Sequence, residues 1–70
     1  MKITNKVKIF RNKKQLTQKE LALKAQISER QLQRIEEGEQ DPKMSTVVKL
    51  AVALEVSLTD LFPLLSEKSN

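Results

Sequence analysis

The sequence predicts an all-α fold: a compact five-helix domain built around a helix-turn-helix. Three observations point there. Residues 17–36 read as two short helices joined by a tight turn, with a hydroxyl cap standing before each of two apolar stripes at helical spacing. Glycine and proline together number three in 70 residues, which leaves few breaks in a helical chain. The hydrophobic share of 39% is enough for the core of one small domain spanning residues 1–70.

The first helix is expected from Thr4 or Asn5 to Asn12 or Lys13, with Ile3, Val7 and Phe10 toward the core and Arg11 near its end. Lys13, Lys14, Gln15 and Leu16 make a short basic connection, Leu16 packing before the next helix as a hydrophobic staple. Thr17 and Glu20 then have capping-box spacing and open a second helix that runs to about Ala25. Its stripe is Leu21, Ala22 and Ala25, and the small Ala22 lets a neighbouring backbone come close. Ile27 plugs the turn. Ser28 and Gln31 repeat the capping spacing and start a third helix, from Glu29 to Glu36 or Glu37, with Leu32 and Ile35 inward. Gly38, the only glycine, fits the left-handed position that ends it.

A polar loop from Glu39 to Lys43 is kept out of helix by Pro42. A fourth helix from Met44 or Ser45 to about Leu54 has a broad apolar face of Val47, Val48, Leu50, Ala51 and Leu54. Ser57 and Asp60 cap a short fifth helix through Leu61 and Phe62, limited by Pro63, and residues 66–70 form a polar tail.

Charge narrows the function. Residues 1–24 balance to +7 and residues 25–70 to −3, an asymmetry expected of an oriented polyanion binder. There is no cysteine and no histidine, so disulfides, thiolate or imidazole metal sites and Cys–His or Ser–His nucleophiles are excluded. The remaining acids are scattered, and no acid–base pair for catalysis is evident; no enzyme, metal or cofactor is expected. The first residues have no apolar signal-peptide region, and no apolar run approaches the ~20 residues of a membrane span. A cytoplasmic protein is expected. In a helix-turn-helix the second helix of the pair can enter a DNA major groove.

The chain resembles the phage repressor and Cro family, also called the Xre family, from about Val7 to Phe62. The resemblance lies in Arg11, L-T-Q at 16–18, E-L-A at 20–22, I-S at 27–28, R-I-E-E-G at 34–38, Pro42, L-A-x-A-L at 50–54 and V-S-L-x-D-L-F at 56–62. It implies a five-helix, lambda-repressor-like DNA-binding domain, usually dimeric, that represses or activates at a palindromic operator. It further implies that Gln18 contacts phosphate and braces the start of the recognition helix. Arg11 and Glu36 match a family ion pair joining the first helix to the third, and Glu29, Arg30, Gln33 and Arg34 match the exposed recognition positions. Relatives often have glycine where this chain has Gln15, Gln26 and Glu55; if those turns keep positive φ, each adds roughly 1 kcal/mol of strain. The loop after Gly38 is acidic where relatives carry bases, with Lys43 as its only cation.

Arg30 and Arg34 stand one turn apart, opposite Leu32 and Ile35, and each guanidinium can bond a guanine's O6 and N7. The alternative pairs Arg34 with Glu37 and leaves Arg30 in solvent. Glu29 either meets the helix dipole or accepts from cytosine N4; Gln33 either bonds adenine or stays solvated. Thr17, Gln18 and Lys19 offer donors beside a helix N-terminus, a ready phosphate site, and Lys14 and Lys43 add salt-sensitive attraction. Leu58, Leu61, Phe62, Leu64 and Leu65 are many large apolar groups for a terminal segment. Some must close the core, and the rest, Leu64 and Leu65 especially, are expected at a two-fold dimer interface. The expected function is a sequence-specific regulator of transcription, a repressor acting as a homodimer on double-stranded DNA. The rivals are an antitoxin or controller that also binds a cognate protein, and a helical module that binds only protein.

Overall fold

Capping chemistry sets the helix boundaries. The computed structural model describes residues 5–63. They form five α-helices: α1 (Val7–Lys13), α2 (Gln18–Ala25), α3 (Glu29–Glu36), α4 (Met44–Leu54) and α5 (Leu58–Leu61), with no strand among the described residues. The first helix starts later than its apolar pattern suggests, because Asn5 stays outside it. The Asn5 Oδ1 accepts from the Val7 N–H at 3.0 Å and its Nδ2 donates to the Ile35 carbonyl at 2.9 Å. One side chain, from the residue before the Lys6 cap, thereby takes the first N–H of α1 and ties the helix to the last turn of α3. The expected core position Ile3 lies outside the described residues.

Thr17 opens α2 with a complete capping box. Its hydroxyl accepts from the Glu20 N–H at 3.0 Å, and Glu20 Oε1 accepts from the Thr17 N–H at 2.8 Å. Ser57 and Asp60 build the same box at α5. At Ser28 only half forms: its hydroxyl accepts from the Gln31 N–H at 3.0 Å, and no return bond from the Gln31 side chain is present.

Four of the helices end on the same left-handed turn. After α3, Gly38 has φ 75°, its N–H donates to Ile35, and the Glu39 N–H reaches back to the Arg34 carbonyl at 2.9 Å. The same paired bonds follow α1, α2 and α4, but there Gln15, Gln26 and Glu55 hold φ of 60°, 59° and 61°. The turns that glycine often fills are therefore kept with side chains present, each at a cost of about 1 kcal/mol.

The core gathers Val7, Leu21, Leu32, Ile35, Leu50, Leu54 and Leu61, all at 0% exposure, with α2 laid against α4 and against α3. Ala22 and Ala25 are buried on α2, and Leu16 and Ile27 pack on the core from the two connections, as staple and plug. Burying each of these leucines contributes roughly 1.5–3 kcal/mol. Leu61 and Phe62, expected among the dimer contacts, are buried inside the chain itself, since α5 is a lid closing the end of α4. Leu58 is half-buried against the same core, and Leu64 and Leu65 lie outside the described residues. A second correction concerns α4. Val48 is 42% exposed, and with Met44 and Val52 it forms a stripe on the side away from Val47, Leu50, Ala51 and Leu54. The apolar residues of this 11-residue helix outnumber those that α1, α2 and α5 cover.

Candidate nucleic-acid interface

With Leu32 and Ile35 fixed in the core, the eight-residue α3 must turn its other side to solvent. Glu29, Arg30, Gln33 and Arg34 are all exposed there. With Glu37 and Glu39 they line an open concavity of about 510 Å³. Among the described residues, neither Arg30 nor Arg34 has an ion-pair partner, so the alternative pairing of Arg34 with Glu37 is not made. Two guanidinium forks one turn apart thus stand free to meet planar acceptors such as guanine.

A buried polar knot holds this helix against the rest of the molecule. Arg11 Nε donates to Glu36 Oε2 at 2.7 Å, Nη2 to Glu36 Oε1 at 3.2 Å, and Nη1 to the Leu16 carbonyl at 2.8 Å. Gln18 Nε2 adds a third bond to the Glu36 carboxylate, at 3.0 Å. The side chains of Arg11 and Glu36 are only 10% and 2% exposed. The knot joins α1, the staple and the first residue of α2 to the last residue of α3. Gln18 is expected to brace the start of the recognition helix from the N-terminus of α2; its side chain instead bonds Glu36, the last residue of that helix.

The expected phosphate contacts fall in three places. Thr17, Gln18 and Lys19 stand at the N-terminus of α2, where Thr17 and Lys19 are exposed, Gln18 is half-buried, and the positive end of the helix dipole favours an anion. Lys43 is exposed at the N-terminus of α4. Lys14 is engaged elsewhere: its Nζ lies 3.1 Å from Glu55 Oε1, linking the turns after α1 and α4. That hydrogen bond, and then the charge of Lys14, hold the Glu55 carboxyl below the usual carboxylate range.

A depressed folded-state pKa gives stability that is present above the unfolded value and is lost as pH falls through the folded one. Followed by NMR, the Glu55 carboxyl is expected to titrate below an ordinary glutamate, and Lys14→Ala to return it toward the ordinary value. An unshifted titration in the wild-type chain would contradict the bridge.

One group at this face escapes a sequence reading. Glu39 reaches the concavity only because the Gly38 turn folds it back beside Arg34, which helical periodicity does not reveal. Glu37, set beside Arg34 by helical spacing, does line the concavity.

Comparison with known proteins agrees with this geometry. The model of the helix-turn-helix family HTH_3 matches residues 7–61. An uncharacterized HTH-type transcriptional regulator of Methanocaldococcus jannaschii is 36% identical over 58 residues, covering 83% of this chain and 88% of that protein. Among solved structures, the restriction-modification controller protein C.AhdI from Aeromonas hydrophila superposes with a TM-score of 0.79 at 26% identity, over 81% of this chain and 86% of that one. A chain of the SinR–SinI protein complex gives 0.80 at 29% identity, over 93% of this chain and 64% of its own length. No helix among the described residues is long and apolar enough to cross a membrane. The fold, the free outer face of α3 and the family match agree: this chain belongs to the HTH_3 (Xre/Cro-like) helix-turn-helix family of DNA-binding transcriptional regulators.

Proposed function

We propose that the chain acts in the cytoplasm as a homodimeric repressor on a palindromic operator, by binding alone and without catalysis. The observation that carries this reading is the outer face of α3, whose arginines are exposed and have no ion-pair partner among the described residues. Arg30 and Arg34 read guanines, Gln33 reads an adjoining base, and Glu29 accepts from cytosine or serves the helix dipole. Thr17, Gln18 and Lys19 position the duplex through its phosphates, with Lys43 and a released Lys14 adding attraction that falls with salt.

The homodimer follows from the size of the reader. One helix of eight residues touches too few base pairs to select an operator, whereas two, roughly 34 Å apart, read successive major grooves. Met44, Val48 and Val52 on α4 supply an exposed apolar stripe that pairing would cover. Mass measurement on and off a palindromic duplex is expected to find two wild-type chains per site. Val52→Glu, at a position 71% exposed and so harmless to the fold, is expected to give monomers that bind the same duplex at least tenfold more weakly. One wild-type chain per site would contradict the homodimer, and unaltered pairing of the variant would remove the α4 stripe from its interface. A second reading, a controller that also binds a cognate protein, draws support from the likeness to the restriction-modification controller and to the SinR–SinI complex.

A further inference from the structure

The concavity over α3 is acidic on balance, which is unexpected for a surface that meets DNA. Its charged lining is Arg30 and Arg34 against Glu29, Glu37 and Glu39, a net charge of −1. Among the described residues none of these five takes part in an ion pair, so no direct partner offsets the three acids. Glu29 has a local reason to be there, since the first turn of a helix favours an acid. Glu37 and Glu39 have none. They sit at the opposite, C-terminal end of α3, where the macrodipole makes a negative charge unfavourable.

Their positions are fixed by the backbone. Gly38 N–H donates to Ile35 O at 3.0 Å and Glu39 N–H to Arg34 O at 2.9 Å, which fixes the main chain so that both residues line the face that carries the arginines. A negative rim carried on this turn acts differently on two kinds of DNA complex. Where Arg30 and Arg34 reach base edges, the forks are used inside the groove. On an unrelated sequence the same forks can be satisfied only by phosphates, and turning to them draws the rim toward the strand. Charges brought within the ~8 Å screening length of physiological salt then repel. Selectivity is a difference of affinities, and a repulsion confined to the wrong complex enlarges it.

We propose that Glu37 and Glu39 are specificity-determining residues that suppress binding to unrelated duplexes without reading a base. The proposal rests on the assignment of α3 as the base reader. The test compares wild type with the double variant Glu37→Gln, Glu39→Gln on two duplexes of equal length, the selected operator and an unrelated sequence, over a salt series. Both residues are exposed, and glutamine keeps their shape and the backbone bonds of the turn. Affinity for the unrelated duplex is expected to rise about tenfold with a steeper salt dependence, and that for the operator less than about threefold. An equal rise on both duplexes would overturn the proposal, because the repulsion would then be uniform. No rise on either would overturn it too, by placing the rim out of range of the strand. Both results leave the base-reading role of α3 intact. A wild-type chain with no preference for any duplex removes that role, and the proposal falls with it.

Discussion

Glu36→Ala is expected to cost about 3–5 kcal/mol of stability, because it leaves the buried Arg11 guanidinium without its charge partner. The Glu36 carboxylate accepts two bonds from Arg11 and one from Gln18, at 2.7, 3.2 and 3.0 Å, and is almost wholly withdrawn from solvent. A 70-residue chain has a total stability of roughly 3.5–10 kcal/mol, so this single loss takes up much of it. Urea unfolding followed by circular dichroism measures the loss directly. The double variant Arg11→Met, Glu36→Met is expected to lose less than Glu36→Ala, since it removes both buried charges and refills their volume. A Glu36→Ala chain within about 1 kcal/mol of wild type would show that the knot is solvated and does not anchor α3.

The second large effect is on recognition. Arg30→Ala and Arg34→Ala are each expected to weaken operator binding by about 1–3 kcal/mol, and to relax the base preference at one position per half-site. Stability should hardly change, because both side chains are exposed and pair with no carboxylate among the described residues. Titration of labelled duplexes, operator and single-base variants, separates this from a general loss of charge. An unchanged order of preference among the duplexes in both variants would remove these residues from the readout.

Much of the architecture is legible in the sequence because it is local. A hydroxyl three residues before an acid marks the starts of α2 and α5, and the lone glycine marks the end of α3. The left-handed turns at Gln15, Gln26 and Glu55 carry no such mark, since residue types that disfavour the conformation are held in it by the packing around them. The edge of the apolar face of α4 is equally opaque. Every residue from Met44 to Leu54 except Ser45, Thr46 and Lys49 is apolar; the spacing places Leu50 inside, but only the packing of α1, α2 and α5 decides that Val48 is bare. Burial of Leu61 and Phe62 likewise depends on where α5 lands.

The functional face divides in the same way. The periodicity of Leu32 and Ile35 fixes which side of α3 is free, and Arg30 and Arg34 follow. The tie between Arg11 and Glu36 spans 25 residues and has no local signature; the family resemblance supplies it. The negative rim depends on the backbone turn at Gly38, which helical spacing alone does not describe.

Sequence-specific recognition of duplex DNA by α3 is tested most directly by selection from a pool of random duplexes. An enriched palindrome, with half-sites about one helical turn apart and binding that weakens steeply with salt, is the expected result. A pool that returns no motif, with binding absent or indifferent to salt, would contradict the assignment and turn the exposed face of α3 into a surface for protein.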